Sequence, residues 1–235
     1  MYSFSFLLLL TEGVLSRRGL SVPDYLVDVL AKKESVCSGV LYLPDIVITT
    51  AMYVQRPSNL ITVCSTAGHK KKICSGILGK KIHPRYSLGS IPAYNMALLK
   101  LKHKRELKTH LFLDPGFLGM ISQLQVQLVG WGWKKTRWEE KPELKHINLS
   151  LLDTHQCQIS FPIEVHSNSS LCARDKHLKT MENYISDGSP ILFKLDGSIF
   201  LVGIASWSTY EYFGNAPNIF SRVSSFSTWI QENAH

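Results

Sequence analysis

The chain has 235 residues, 45% of them hydrophobic and 19% charged, with a formal net charge of +8. A chain of this size can bury a sizeable core as one domain or two tightly packed subdomains, and its composition is ordinary globular material rather than disordered. No apolar run reaches the roughly 18 residues of a membrane span and no nucleic-acid motif accompanies the basic excess, so neither a transmembrane nor a nucleic-acid-binding role is expected.

Residues 1–19 open with a short apolar run, Phe4 to Leu10, interrupted by Ser5. It reads as the apolar region of a secretory signal, although no positive charge precedes it and Arg17 and Arg18 follow. The other reading is an N-terminal arm. Next, "VCSGVLYLPDIVITTA" (36–51) reads as two strands broken at Pro44-Asp45. The stretch His69 to Arg85 carries Lys70, Lys71, Lys72, Lys80, Lys81 and Arg85 with no acid among them. Such a run is either a solvated loop or a surface for an anionic partner. "NMALLKLK" (95–102) is a short buried strand that runs into further basic residues. "QLQVQL" (123–128) alternates strictly and predicts a half-buried strand. "SPILFKLDGSIFLVGIASW" (189–207) predicts strand, Asp196-Gly197 turn, strand. Only the end departs: Phe226, Trp229 and Ile230 recur at helical spacing and predict one amphipathic helix. Many short strands between turn signals predict an antiparallel sandwich or barrel.

Two tripeptides beginning at Asn148 and Asn168 are glycosylation acceptors if the chain is secreted. The five cysteines, Cys37, Cys64, Cys74, Cys157 and Cys172, have no zinc-binding spacing. Cys64 and Cys74 enclose one short loop and Cys157 and Cys172 another, which leaves Cys37 as the odd one.

Several stretches together resemble the trypsin-like (chymotrypsin-fold) serine proteases. "CSGVLYLPDIVITTA" is similar to Cys-Gly-Gly-Ser-Leu leading into Thr-Ala-Ala-His-Cys, and "NMALLKL" to Asp-Ile-Ala-Leu-Leu-Lys-Leu. "LVGWGW", "LCAR", "SDGSP", "GIASW" and "PNIFSRVSSFSTWI" follow in the family's order, the third standing where the family has Gly-Asp-Ser-Gly-Gly-Pro. The resemblance spans about Val22 to Ile230. It implies an all-β fold of two antiparallel Greek-key β-barrels with a C-terminal α-helix. A single domain over 20–235 would divide into an N-terminal barrel at about 22–110, a C-terminal barrel at about 111–225 and a helix at 226–235.

In that family a serine attacks the scissile carbonyl, a histidine takes its proton and an aspartate orients the histidine. Carried over by position, the histidine falls on Met52, the aspartate on Asn95 and the serine on Asp187; a one-residue slip would put Gly188 at the nucleophile instead. A thioether cannot serve as a general base near neutral pH. The oxyanion-hole glycine falls on Ile185, the acid of the activation pair on Ser186, and the specificity-pocket positions on Met181 and Asn218. The resemblance also implies a Cys157–Cys172 bridge and puts the usual mate of Cys37 at Tyr53; Cys64–Cys74 would be a local clip outside the family pattern. The expectation is a secreted, catalytically inactive homologue that works by binding, with no cofactor and no metal. Its partner would be an acidic protein, a sulfated glycan, or a protease or protease inhibitor. The alternatives are a hydrolase with non-standard residues, for which Ser186 is the nearby hydroxyl, and a paralogue without function.

Overall fold

The computed structural model describes residues 21–65, 72–135, 140–161, 165–175, 185–207 and 217–235, with the backbone alone at 133–135 and 140–142. Six strands build the first barrel: β1 (Leu26–Ala31), β2 (Glu34–Leu43), β3 (Ile46–Thr49), β4 (Ile61–Ser65), β5 (Ile73–Ile82) and β6 (Ala97–Leu101). They close in the order β1-β2-β3-β6-β5-β4. All four residues of β3 are buried because each of its faces meets a core. Period-2 alternation sends Val47 into the barrel's own interior and Ile46 and Ile48 into the layer between barrels. β6 divides the same way, with Leu99 inward and Leu98 toward the second barrel. Two buried faces explain why both segments are almost continuously apolar.

The second sheet comprises β7 (Leu111–Leu113), β8 (Gln125–Lys135), β9 (Glu140–Leu152), β10 (Ser170–Arg174), β11 (Pro190–Leu195), β12 (Ser198–Trp207) and β13 (Asn218–Arg222). Its order is β11-β8-β9-β10-β13-β12-β7, and pairing of β11 with β12 closes a six-stranded ring. The two antiparallel barrels are those that the family resemblance implies. One strand corrects the purely antiparallel expectation: β7 lies parallel to β12, outside the ring. The β11–β12 turn has positive φ at Asp196 (48°) and Gly197 (80°), the geometry that an Asp-Gly hairpin supplies.

The C-terminal helix α2 (Ser227–Asn233) begins just after Phe226, and Phe226 and Ile230 are fully buried in the layer between the barrels. A second helix was not foreseen: α1 (Thr154–Ile159), whose first turn is capped by the Asp153 carboxylate accepting from the Gln156 N–H at 2.7 Å. An aspartate at a helix entry was the available signal, but six residues are too few to show a helical period. Both expected disulfides are present. Cys64–Cys74 ties directly paired residues of β4 and β5, and Cys157–Cys172 ties α1 to β10. Cys37 is buried and unpaired.

Candidate functional site at the seam between the barrels

Met52 and Tyr53 lie in the turn after β3, Asn95 lies just before β6, and Asp187 lies in the segment that leads into β11. Hydrogen bonds gather them at the seam. The Asn95 side chain is buried; its Oδ1 accepts from the Met52 N–H at 2.9 Å. Its Nδ2 donates to the Ser206 hydroxyl at 3.0 Å and more distantly to the Ser206 carbonyl at 3.4 Å. The Asn95 carbonyl accepts from the Ser221 hydroxyl at 2.8 Å. The amide orientation follows from chemistry, because the Met52 N–H can only donate and so must face the oxygen.

Tyr53, the next residue, reaches the other side of the seam. Its hydroxyl donates to Asp187 Oδ2 at 2.9 Å, and the Asp187 carbonyl accepts from the Ser38 N–H at 2.7 Å. Asp187 is only 7% exposed. Burial pushes its carboxyl up to about 7, against the pull of the Tyr53 hydrogen bond. Gly188 follows with φ +85°, and a Cβ there would lie 1.9 Å from the Ser38 carbonyl oxygen. Only glycine permits so close an approach with that backbone.

Cys37 stands behind this cluster. Thr49 Oγ1 donates to the Ser38 carbonyl at 2.7 Å, so it accepts from the Cys37 thiol, whose sulfur lies 3.4 Å from Thr49 Oγ1. Burial pushes that thiol up to about 12, so it is not a thiolate nucleophile.

Ile185 is buried and forms an isolated bridge with Gly132, and the Ser186 N–H donates to the Trp131 carbonyl at 2.9 Å. Ser189 Oγ is buried without a hydrogen-bond partner. Asn218, half-buried at the start of β13, lines a cavity of about 20 Å³ with Ile185, Asp187, Trp207 and Phe220. That is room for about one water molecule. Met181 lies outside the described residues. Among the described residues no histidine ring is hydrogen-bonded to a serine or cysteine side chain; His83 is packed against the rings of Tyr94, Phe226 and Trp229.

The basic run is more committed than its sequence suggests. Lys70 and Lys71 lie outside the described residues. Lys72 pairs with Asp28 at 2.6 Å, and Lys80 donates to the carbonyls of Val54 and Arg56, each at 2.5 Å. The Arg85 guanidinium sits 4.1 Å from the centre of the Tyr94 ring. Lys81 is exposed on β5. Asn148, on β9, and Asn168, in the turn before β10, are both exposed.

Sequence reasoning missed the hydrogen-bond partners of these residues. Ser206 and Ser221 as supports of Asn95, and Ser38 as the donor to Asp187, lie far from their partners along the chain. A signal existed for Tyr53 alone, since a largely buried tyrosine needs an acceptor for its hydroxyl.

The trypsin family model matches residues 13–230 of the chain. Granzyme-like protein 1 of Rattus norvegicus is 24% identical over 212 residues, covering 85% of this chain and 80% of that protein. Mast cell protease 3 of Ovis aries is 25% identical over 208 residues, covering 86% and 79% respectively. Serine proteinase stubble of Drosophila melanogaster is 26% identical over 165 residues, covering 67% of this chain and 21% of that protein. With two closed barrels, their seam and a match over nearly its whole length, the chain belongs to the trypsin family.

Proposed function

We propose that this trypsin-family chain does not hydrolyse peptides and acts instead as a secreted binding protein for an anionic partner. The observation that carries the reading is the bond from the Tyr53 hydroxyl to Asp187 Oδ2. The residue that the family pattern assigns to the nucleophile is thus a buried carboxyl, neutral below about pH 7 and already engaged. Met52 brings a thioether where a base is required, and Asn95 spends its side chain on Met52 and Ser206. In a triad protease of unrelated fold, loss of the serine or histidine alone costs about 2 × 10⁶ in kcat.

The binding half rests on the net charge of +8 and on the density of the basic run in sequence from Lys70 to Arg85, of which Lys72, Lys80 and Arg85 also contact the chain itself. Secretion is supported by the two disulfides, by the family, whose members are commonly secreted, and by the apolar start of the sequence. No helix among the described residues is long and apolar enough to cross a membrane.

The test of the first half is exposure of purified protein to an active-site fluorophosphonate and to peptide and ester libraries. Neither labelling nor turnover is expected. Labelling at Ser186 that vanishes in Ser186→Ala would overturn the reading. For the second half, retention on heparin should exceed that of an unrelated protein of equal charge and should fall when Lys70, Lys71 and Lys72 are changed to Glu. Equal elution, or retention that survives the substitutions, rejects the basic run as the binding surface.

A further inference from the structure

We infer that Tyr53 and Asp187 form a pH-responsive clasp between the two barrels, tight in acid and looser toward neutrality. Tyr53 belongs to the first barrel and Asp187 to the second, and they are 134 residues apart in sequence. Two further contacts bring the same segments together. The Ser38 N–H donates to the Asp187 carbonyl, and the Gly188 Cα packs against the Ser38 carbonyl so closely that no side chain fits between them. The side-chain and backbone contacts of residues 187–188 thus adjoin one another, so opening of the clasp is read at β2 as well.

The proton matters because of what surrounds the carboxyl. From the first barrel it is faced by the Tyr53 hydroxyl and, behind it, by the Cys37 thiol, which is pushed up to about 12 and stays neutral. In its own barrel, none of the other described residues that line the adjoining cavity is titratable. Among the described residues no lysine, arginine or histidine contributes to the shift of Asp187, so there its ionisation in the closed seam meets the Tyr53 hydroxyl donor and no opposing charge. An opened clasp hydrates the carboxylate and returns it to its ordinary acid range. Closed, Asp187 holds its proton up to about pH 7; open, it holds it only up to about 3.8. Between those values each unit of pH favours opening by about tenfold, and above the upper one the effect levels off. The clasp stands whether or not the chain hydrolyses peptides.

The experiment is hydrogen exchange on the whole folded protein from pH 4.5 to 8.5, corrected for intrinsic exchange and read on peptides covering 36–41 and 185–190. Protection there should fall by up to about tenfold per pH unit below 7 and flatten above it, and in Asp187→Asn it should be flat throughout. Identical pH dependence in both proteins, or none in the wild type, overturns the clasp. If Asp187→Asn does not fold, Tyr53→Phe decides instead. Its levelling point should move to higher pH, because the donor that stabilises the carboxylate is gone; an unmoved levelling point overturns the clasp. Infrared spectra add an independent reading: a protonated-carboxyl band present at pH 6 and lost by pH 8 is expected, and its absence at pH 6 counts against the clasp.

Discussion

Two of the joints that cross the seam between the barrels are built from different chemistry. The Asn95 joint is neutral and reciprocal: an amide oxygen takes the Met52 N–H, the amide nitrogen gives to Ser206, and the backbone carbonyl takes the Ser221 hydroxyl. The Asp187 joint holds an acid in the same kind of dry setting, with Tyr53 as its one side-chain donor among the described residues. Hydrogen bonds among neutral groups hold equally well at any physiological pH, whereas a buried carboxyl makes its joint depend on the proton. One side of the seam is thus a fixed hinge-pin and the other a titratable contact.

The largest way to expose this difference is pH. The folded pKa of Asp187 is raised from 3.8 to about 7, so its contribution is fully present below about pH 4 and is lost as pH rises to about 7. Urea titrations of the wild type and Asp187→Asn should differ in pH dependence by up to roughly 4 kcal/mol across that window, at about 1.4 kcal/mol per unit. The comparison between the two proteins cancels other acids such as Asp24, whose lowered pKa works with the opposite sign. A smaller effect comes from Gly188→Ala, which forces a methyl into the Ser38 carbonyl at positive φ. It should cost roughly 3 kcal/mol in the same titration.

The neutral joint is broken by Asn95→Leu, which leaves the Met52 N–H and the Ser206 hydroxyl without that side chain. A loss of about 2–3 kcal/mol is expected, equal at pH 5 and pH 8. If the loss changes with pH, the two joints are not chemically distinct. The smallest effect is that of Tyr53→Phe. Removing one hydroxyl donor should cost about 1–2 kcal/mol and extend the pH-sensitive window upward.

Much of the architecture was legible from local pattern. Alternation in Gln123–Leu128 marked β8, Asp196-Gly197 marked a hairpin, and the spacing of Phe226, Trp229 and Ile230 marked α2. The short α1 was not, because six residues carry too little period, and neither was parallel β7, because three residues carry no direction. The expected basic surface was legible as charge but not as availability: Lys72 is paired with Asp28, and Lys80 is turned onto backbone carbonyls. Side chains that long settle on whatever acceptors the fold brings near, which composition cannot reveal.

The sequence by itself determined the strand segments, the Asp196-Gly197 turn and the identities of Met52, Asn95 and Asp187, because strand period, turn chemistry and residue type are local properties, while the two barrels and the Cys157–Cys172 bridge were expected from the family resemblance. It also left Tyr53 with a hydroxyl in need of an acceptor. Only the tertiary structure decided which one. The acceptor lies 134 residues away, in the other barrel, and its proton affinity is set by burial that no local stretch of sequence can show.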